Sequence, residues 1–199
     1  MKNLLVKAAA VASLVASTAW AGPTAQLVGG STTVTLDEGF LGALVATEIA
    51  PAPISPAELD AERGDIRYPI PIGAIDLETL AGEVMHTGGV TLTRGDTQVA
   101  LQNFIIDTAN GVLTGVVSLN GDILDGTRFP LFDLNLADAD LTLFPNGFIR
   151  ILAVQVDLTP EAASLLNDVF GLDGALDDGT VVGDAAVRMA VWQQIGGES

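Results

Sequence analysis

The sequence predicts a mainly β protein, an antiparallel β-sandwich or β-barrel with one or two short helices. Short β-prone runs rich in Val, Ile, Thr and Phe fill most of the chain after residue 65. Turn-forming pairs separate these runs, and several are Asn-Gly pairs, which favour the tight turns of β-hairpins. Only two segments combine a capping residue with helical spacing of apolar residues. Antiparallel pairing of successive strands is therefore the expected architecture.

The first 21 residues have the pattern of a secretory signal peptide. Lys2 and Lys7 precede an apolar run, and Ala19-Trp-Ala21 supplies small residues where a signal peptidase reads them. We expect cleavage before Gly22, which leaves a single β-rich domain at residues 22–199. The mature protein is then expected in the periplasm or outside the cell.

The strands can be placed in order along the mature chain. The first is expected at residues 26–36, where Thr and Val alternate. The others are expected at residues 66–73, 82–86, 90–94, 97–107, 112–119, 127–136, 139–144, 148–158 and 180–192. The Pro-rich stretch at residues 50–67 is expected to be a rigid loop, with Ser55 and Glu58 capping one turn of helix.

Two helices are expected, each directly after a strand. Asp37 precedes one at residues 38–47, and Thr159 precedes another that stops at Gly171. The second also has Pro160 at its first position, where the missing N–H costs nothing. The two strand–helix units resemble each other in sequence, so we expect them to close the two ends of a sandwich; chance similarity is the alternative.

The mature chain is strongly acidic. Both lysines lie in the signal peptide, so six arginines remain against 25 carboxylates, a net charge of −19. Nucleic acids and anionic lipid surfaces repel such a protein, and we expect no nucleic-acid partner. After residue 21 no apolar stretch is long enough to cross a membrane, so no transmembrane segment is expected in the mature chain.

The residue inventory excludes most catalytic sites. The chain has no cysteine, one histidine and, after residue 21, no lysine. Thiol nucleophiles, Schiff bases and metal sites with two histidines from one chain are therefore excluded. A hydrolase that uses two carboxylates is compatible with the inventory, but one Trp and one Tyr in the mature chain offer few surfaces for stacking sugar rings. We therefore expect that the protein is not an enzyme.

Oxygen ligands alternate along one acidic stretch. Asp133, Asn135, Asp138 and Asp140 could bind calcium, although the stretch lacks the Gly and distal Glu of an EF-hand loop. The alternative is a strand whose polar face switches at a bulge near Ala137.

The single histidine and the single tyrosine form the second candidate site. If the strands that contain Tyr68 and His86 form a hairpin centred near Leu77, their side chains become cross-strand neighbours. A phenolate beside an imidazole could ligate haem iron. The alternative is a sheet edge with two amphipathic side chains.

Three stretches resemble the HtaA-type haem-binding domain of bacterial cell-surface proteins. They are Tyr68-Pro-Ile-Pro-Ile-Gly, His86-Thr-Gly-Gly-Val-Thr-Leu, and the Leu-Thr-x-x-Ala-Ala motif that begins at Leu158. The resemblance implies a β-rich fold that binds haem through a tyrosine supported by a histidine, with His86 in the histidine position. The family's ligand tyrosine lies in a Trp-Gly and Ser-Phe-Arg-x-x-Tyr stretch, whereas the corresponding residues 40–53 contain no Trp, Tyr or Arg.

The sequence as a whole predicts a non-catalytic, exported β-domain with a binding or structural role. Two alternatives stay open. One is haem or porphyrin binding near Tyr68 and His86, and the other is a hydrolase with a pair of catalytic carboxylates.

Overall fold

The computed structural model describes residues 24–76, 78–124 and 127–192. The expected signal peptide lies outside these residues. Within them the chain forms fourteen strands and two helices. The strands are β1 (Thr24–Leu36), β2 (Ala50–Ile54), β3 (Glu58–Asp60), β4 (Asp65–Ile70), β5 (Ile72–Asp76), β6 (Gly82–Met85), β7 (Gly89–Arg94), β8 (Thr97–Asp107), β9 (Val112–Leu119), β10 (Asp122–Ile123), β11 (Phe129–Asn135), β12 (Asp140–Leu143), β13 (Phe148–Leu158) and β14 (Val181–Trp192), and the helices are α1 (Glu38–Ala46) and α2 (Pro160–Phe170).

Eight strands pair antiparallel into a closed barrel. The order around the ring is β1, β5, β6, β8, β9, β11, β13 and β14, and β14 returns to pair with β1. The other strands extend this ring: β4 pairs with β1, β7 with β8, and β12 with β13. The predicted mainly β, antiparallel fold is confirmed, and it is a barrel.

Both predicted helices are present with the predicted caps. The Asp37 carboxylate accepts hydrogen bonds from the backbone N–H groups of Gly39 and Phe40 at 2.7 and 3.0 Å. The Thr159 hydroxyl accepts from the N–H of Ala162 at 3.1 Å, and Gly171 ends α2 in the left-handed conformation. Because these groups satisfy N–H donors that a helix start leaves free, the helix boundaries follow from local sequence.

The helices do not close opposite ends of the barrel, and that expectation is wrong. β1 and β13 flank β14 on either side, and both Leu36 and Val156 are paired with Gly183. The two strands therefore run in the same direction and reach the same rim, where α1 and α2 begin. Both helices cover one end of the barrel.

The Pro-rich stretch is not a loop with one turn of helix. β2 lies at the edge of the sheet and pairs with β7, and β3 pairs with β4. An edge strand has only one partner, so the missing N–H groups of Pro51 and Pro53 cost little there. The predicted strand at 66–73 is likewise divided in two, with Pro71 between β4 and β5.

The barrel interior holds two groups of buried apolar side chains. The larger contains the buried faces of both helices, including Phe40, Leu44 and Leu166. The smaller lies farther from them and includes Leu27 and Met189, each 1% exposed. In the part of the chain that the structure describes, no helix has the length and apolar character needed to span a membrane.

Candidate functional site

The barrel encloses a cavity of about 100 Å³ below the two helices, which we call the chamber. Its wall is almost entirely apolar, and the helices contribute Phe40, Leu44 and Leu166 to it. Three lining residues carry side-chain polar groups: Thr32, Tyr68 and His86. Ligand pockets are typically of this kind, apolar with a few polar groups.

Backbone pairing fixes His86 at the chamber wall. The residue follows β6, and its backbone N–H donates to the carbonyl of Phe104 on β8 at 2.8 Å. The imidazole is 5% exposed, and its Nε2 atom lies 2.7 Å from the hydroxyl of Thr32. Nδ1, the other ring nitrogen, is buried without a hydrogen-bond partner among the described residues. A buried polar atom in this state costs about 1–3 kcal/mol, so Nδ1 is an unsatisfied group of the His86 ring.

Burial also determines the charge of this imidazole. Removal from water lowers the pKa of His86 to about 4, because the apolar wall disfavours the charged ring. The carbonyl of Val84 opposes this pKa shift, but it does not make a hydrogen bond of good geometry with Nδ1. At neutral pH the ring is therefore uncharged, with one N–H donor and one nitrogen acceptor.

Tyr68 is positioned by β4, directly across the strand pair from Thr32. Its ring packs edge-to-face on Phe104, with 5.3 Å between centroids and 82° between planes. Burial raises the pKa of the phenol well above its usual range, so the hydroxyl stays protonated. Such a phenol can donate or accept a hydrogen bond.

The hairpin expected around Leu77 exists, but it is formed by β5 and β6. Ile72 is paired with Met85, and Gly73 with Val84. Tyr68 lies beyond this ladder on β4, so the register does not place it opposite His86. The two side chains nevertheless line the same chamber. Thr32 was not identified as a site residue from the sequence. The alternation of side chains along a strand shows only that every second residue faces inwards, and it does not show which Thr contacts His86.

The acidic stretch lies outside the barrel, on the surface. Asp133 and Asn135 are exposed on β11, Asp138 lies in the following turn, and Asp140 begins β12. The Asn135 side chain accepts from the N–H of Ala137 at 3.0 Å and so stabilises the turn. Within the described ranges, no three His, Asp or Glu side chains are placed to hold a metal ion.

No family model and no curated protein matches the sequence. Solved structures do share the fold. The C-terminal domain of HtaA from Corynebacterium glutamicum superposes with a TM-score of 0.65 at 14% identity, covering 84% of this chain and 99% of that one. The N-terminal domain of the same protein gives 0.56 at 15% identity, covering 84% and 99%. The heme binding protein HtaB from that organism gives 0.54 at 14% identity, covering 85% and 95%.

The chain therefore has the HtaA-type fold, and the resemblance seen in its sequence is confirmed at the level of fold. The contact between Thr32 and His86, however, does not fit haem ligation. The hydroxyl in contact with His86 belongs to Thr32, and an aliphatic alcohol does not ionise as a tyrosine ligand does. The chamber, at about 100 Å³, is also well below the roughly 300–1,000 Å³ typical of pockets for larger ligands.

Proposed function

We propose that the protein is a non-catalytic, exported binding protein whose chamber takes a small apolar molecule with one hydroxyl group. The observation that carries this proposal is that His86, whose Nδ1 atom has no partner among the described residues, lines an otherwise largely apolar chamber. The export signal at residues 1–21 and the shared fold of HtaB, a heme binding protein, both support a role in binding at the cell envelope.

The size and lining of the chamber define the ligand class. An apolar cavity of about 150 Å³ stays dry and binds benzene, so a chamber of similar scale suits one small ring. A hydroxyl group can donate to Nδ1 or accept from it, and so it fits either tautomer of a neutral imidazole. Satisfying this atom removes a desolvation cost that the free protein carries.

A matched pair of ligands tests the assignment. Phenol and benzene differ by one hydroxyl group, and a net hydrogen bond of about 1 kcal/mol corresponds to an affinity ratio of about five in favour of phenol. Binding is measured by the shifts of chamber resonances, such as the Phe104 ring, in NMR titrations. The ratio should fall to about one in a His86→Phe variant, because the added ring has no polar atom.

The control is Thr33→Val, which alters the same strand on its other face and should keep the fivefold ratio. Equal affinity of the wild-type protein for phenol and benzene would refute the role of His86. Absence of binding by both ligands would refute the chamber as a binding site.

Haem is a second candidate ligand, favoured by the fold shared with HtaB and by His86 at the position that the family resemblance implies. Haemin titration followed by absorbance separates the two candidates. A saturable Soret band near one equivalent that weakens in His86→Ala would favour haem and contradict the small-ligand assignment. A spectrum equal to that of free haemin would remove haem as a candidate.

A further inference from the structure

Two arginines face each other on the outer surface of the barrel. Arg150 on β13 and Arg188 on β14 are directly opposed in the strand register. Their neighbours Ile149 and Met189 are buried inside, so the two arginines lie on the outer face. Directly opposed side chains have Cβ atoms about 5 Å apart, and like charges at that distance destabilise a sheet. This arrangement uses two of the six arginines of a chain that carries 25 carboxylates.

The other four arginines have partners. Arg63 and Arg67 form ion pairs with Asp60 and Glu58 at 3.7 and 3.4 Å. Arg94 donates to the carbonyl of Phe170, and Arg128 donates to the hydroxyl of Thr114 at 2.9 Å.

Arg150 and Arg188 make neither an ion pair nor a side-chain hydrogen bond with any residue in the described ranges, and the Nε atom of Arg150 is buried without a partner. The terminal guanidinium donors of the two side chains therefore have no partner among the described residues.

The surface around the pair has an exposed apolar side chain at one end and a small residue beside Arg188. The planar Arg150 guanidinium lies over the ring of Phe144 at 5.4 Å from the centroid, and this contact restricts its position. Phe148, on the same face of β13, is 43% exposed. Ser31, the partner of Arg188 on β1, is too short to cover the guanidinium groups.

We propose that Arg150 and Arg188 bind one oxyanion group, a phosphate or carboxylate, of an amphipathic molecule whose apolar part lies on Phe148. Two planar guanidinium groups match the oxygens of such a group with paired hydrogen bonds, and the bound charge relieves their repulsion. We assign the oxyanion to a dispersed amphiphile and not to a bilayer, because an anionic surface repels a chain with a net charge of −17. This site is separate from the chamber and does not depend on its function.

Calorimetric titration with inorganic phosphate and with monomeric dodecyl phosphate tests the proposal. Dodecyl phosphate should bind at least tenfold more tightly than phosphate, since the chain adds apolar burial. Arg150→Gln and Arg188→Gln should each weaken dodecyl phosphate binding at least tenfold. Arg63→Gln removes the same charge from an exposed arginine elsewhere and should leave binding within twofold of wild type.

Equal losses in all three variants, or no loss in any, would overturn the site. Equal affinity for the two probes would overturn the amphipathic assignment. Co-sedimentation with phosphatidic acid vesicles would overturn the choice of a dispersed amphiphile. Both test variants should keep the far-UV circular dichroism spectrum of the wild type without ligand, and loss of that spectrum would show that the arginines are structural and would contradict the proposal.

Discussion

Replacement of His86 by Phe should make the stability of the protein less sensitive to mild acid. The pKa of this imidazole is about 4 in the folded protein against about 6.5 in the unfolded chain, where burial no longer disfavours the charge. Between these values the unfolded chain binds a proton that the folded protein does not. Stability from the neutral ring is thus complete above pH 6.5 and is lost as the pH falls towards 4. These two pKa values together predict that the free energy of unfolding falls by about 2 kcal/mol between pH 7.5 and pH 5.0.

Urea unfolding at these two pH values measures the effect in wild type and in His86→Phe. The carboxylates contribute equally to both proteins, so the difference between their free energies of unfolding isolates the histidine. That difference should change by about 2 kcal/mol in favour of the variant at pH 5.0. A difference that stays constant within about 0.5 kcal/mol would show that His86 titrates normally and would refute the argument from burial. Thr33→Val, on the other face of β1, should follow the wild-type curve.

Three further substitutions test the chamber and its cover. Leu166→Ala should lower the free energy of unfolding by about 2–5 kcal/mol in urea titrations and, by enlarging the chamber, raise benzene affinity; unchanged affinity would place Leu166 outside the binding volume. Thr32→Val should lower the free energy of unfolding by about 1–3 kcal/mol because it leaves Nε2 of His86 unpaired. Thr33→Val should lower it by less than about 0.5 kcal/mol, and equal losses in the two variants would contradict the hydrogen bond. Thr159→Ala should cost about 1–2 kcal/mol through loss of the α2 cap, seen as a lower urea midpoint, and no change would mean that solvent replaces the cap.

Local patterns were sufficient to predict the helices and most strands. α2 follows from Thr159, Pro160 and Gly171, which specify a start and a stop without any distant contact. Apart from the run divided at Pro71, the predicted strands lie within two residues of those observed. The prediction of a loop for the Pro-rich stretch was wrong because a strand that contains proline is accepted at the edge of a sheet. Which strand lies at the edge is decided by the pairing of the whole sheet and cannot be seen in one segment.

The candidate site was less accessible from the sequence because its contacts are long-range. Thr32 and His86 are separated by 54 positions and meet only after β1 and β6 have both joined the ring. The opposition of Arg150 and Arg188 depends on register, and a bulge between Ile151 and Val154 shifts that register within the same strand pair. Neither sequence spacing nor residue type encodes such a shift.

The position of β14 determines when the barrel can close. Among the residues that the structure describes, this strand is the last, yet it lies between β1, the first, and β13. During synthesis the ring therefore stays open by one strand until Trp192 has emerged, and β1 and β13 expose unpaired edges 13 and 11 residues long. Long unpaired edges recruit strands from other molecules, so the interval before β14 inserts is the period of greatest exposure to aggregation or strand exchange. Repulsion between acidic chains reduces encounters during that interval, which gives the net charge of −17 a role in assembly as well as in solubility.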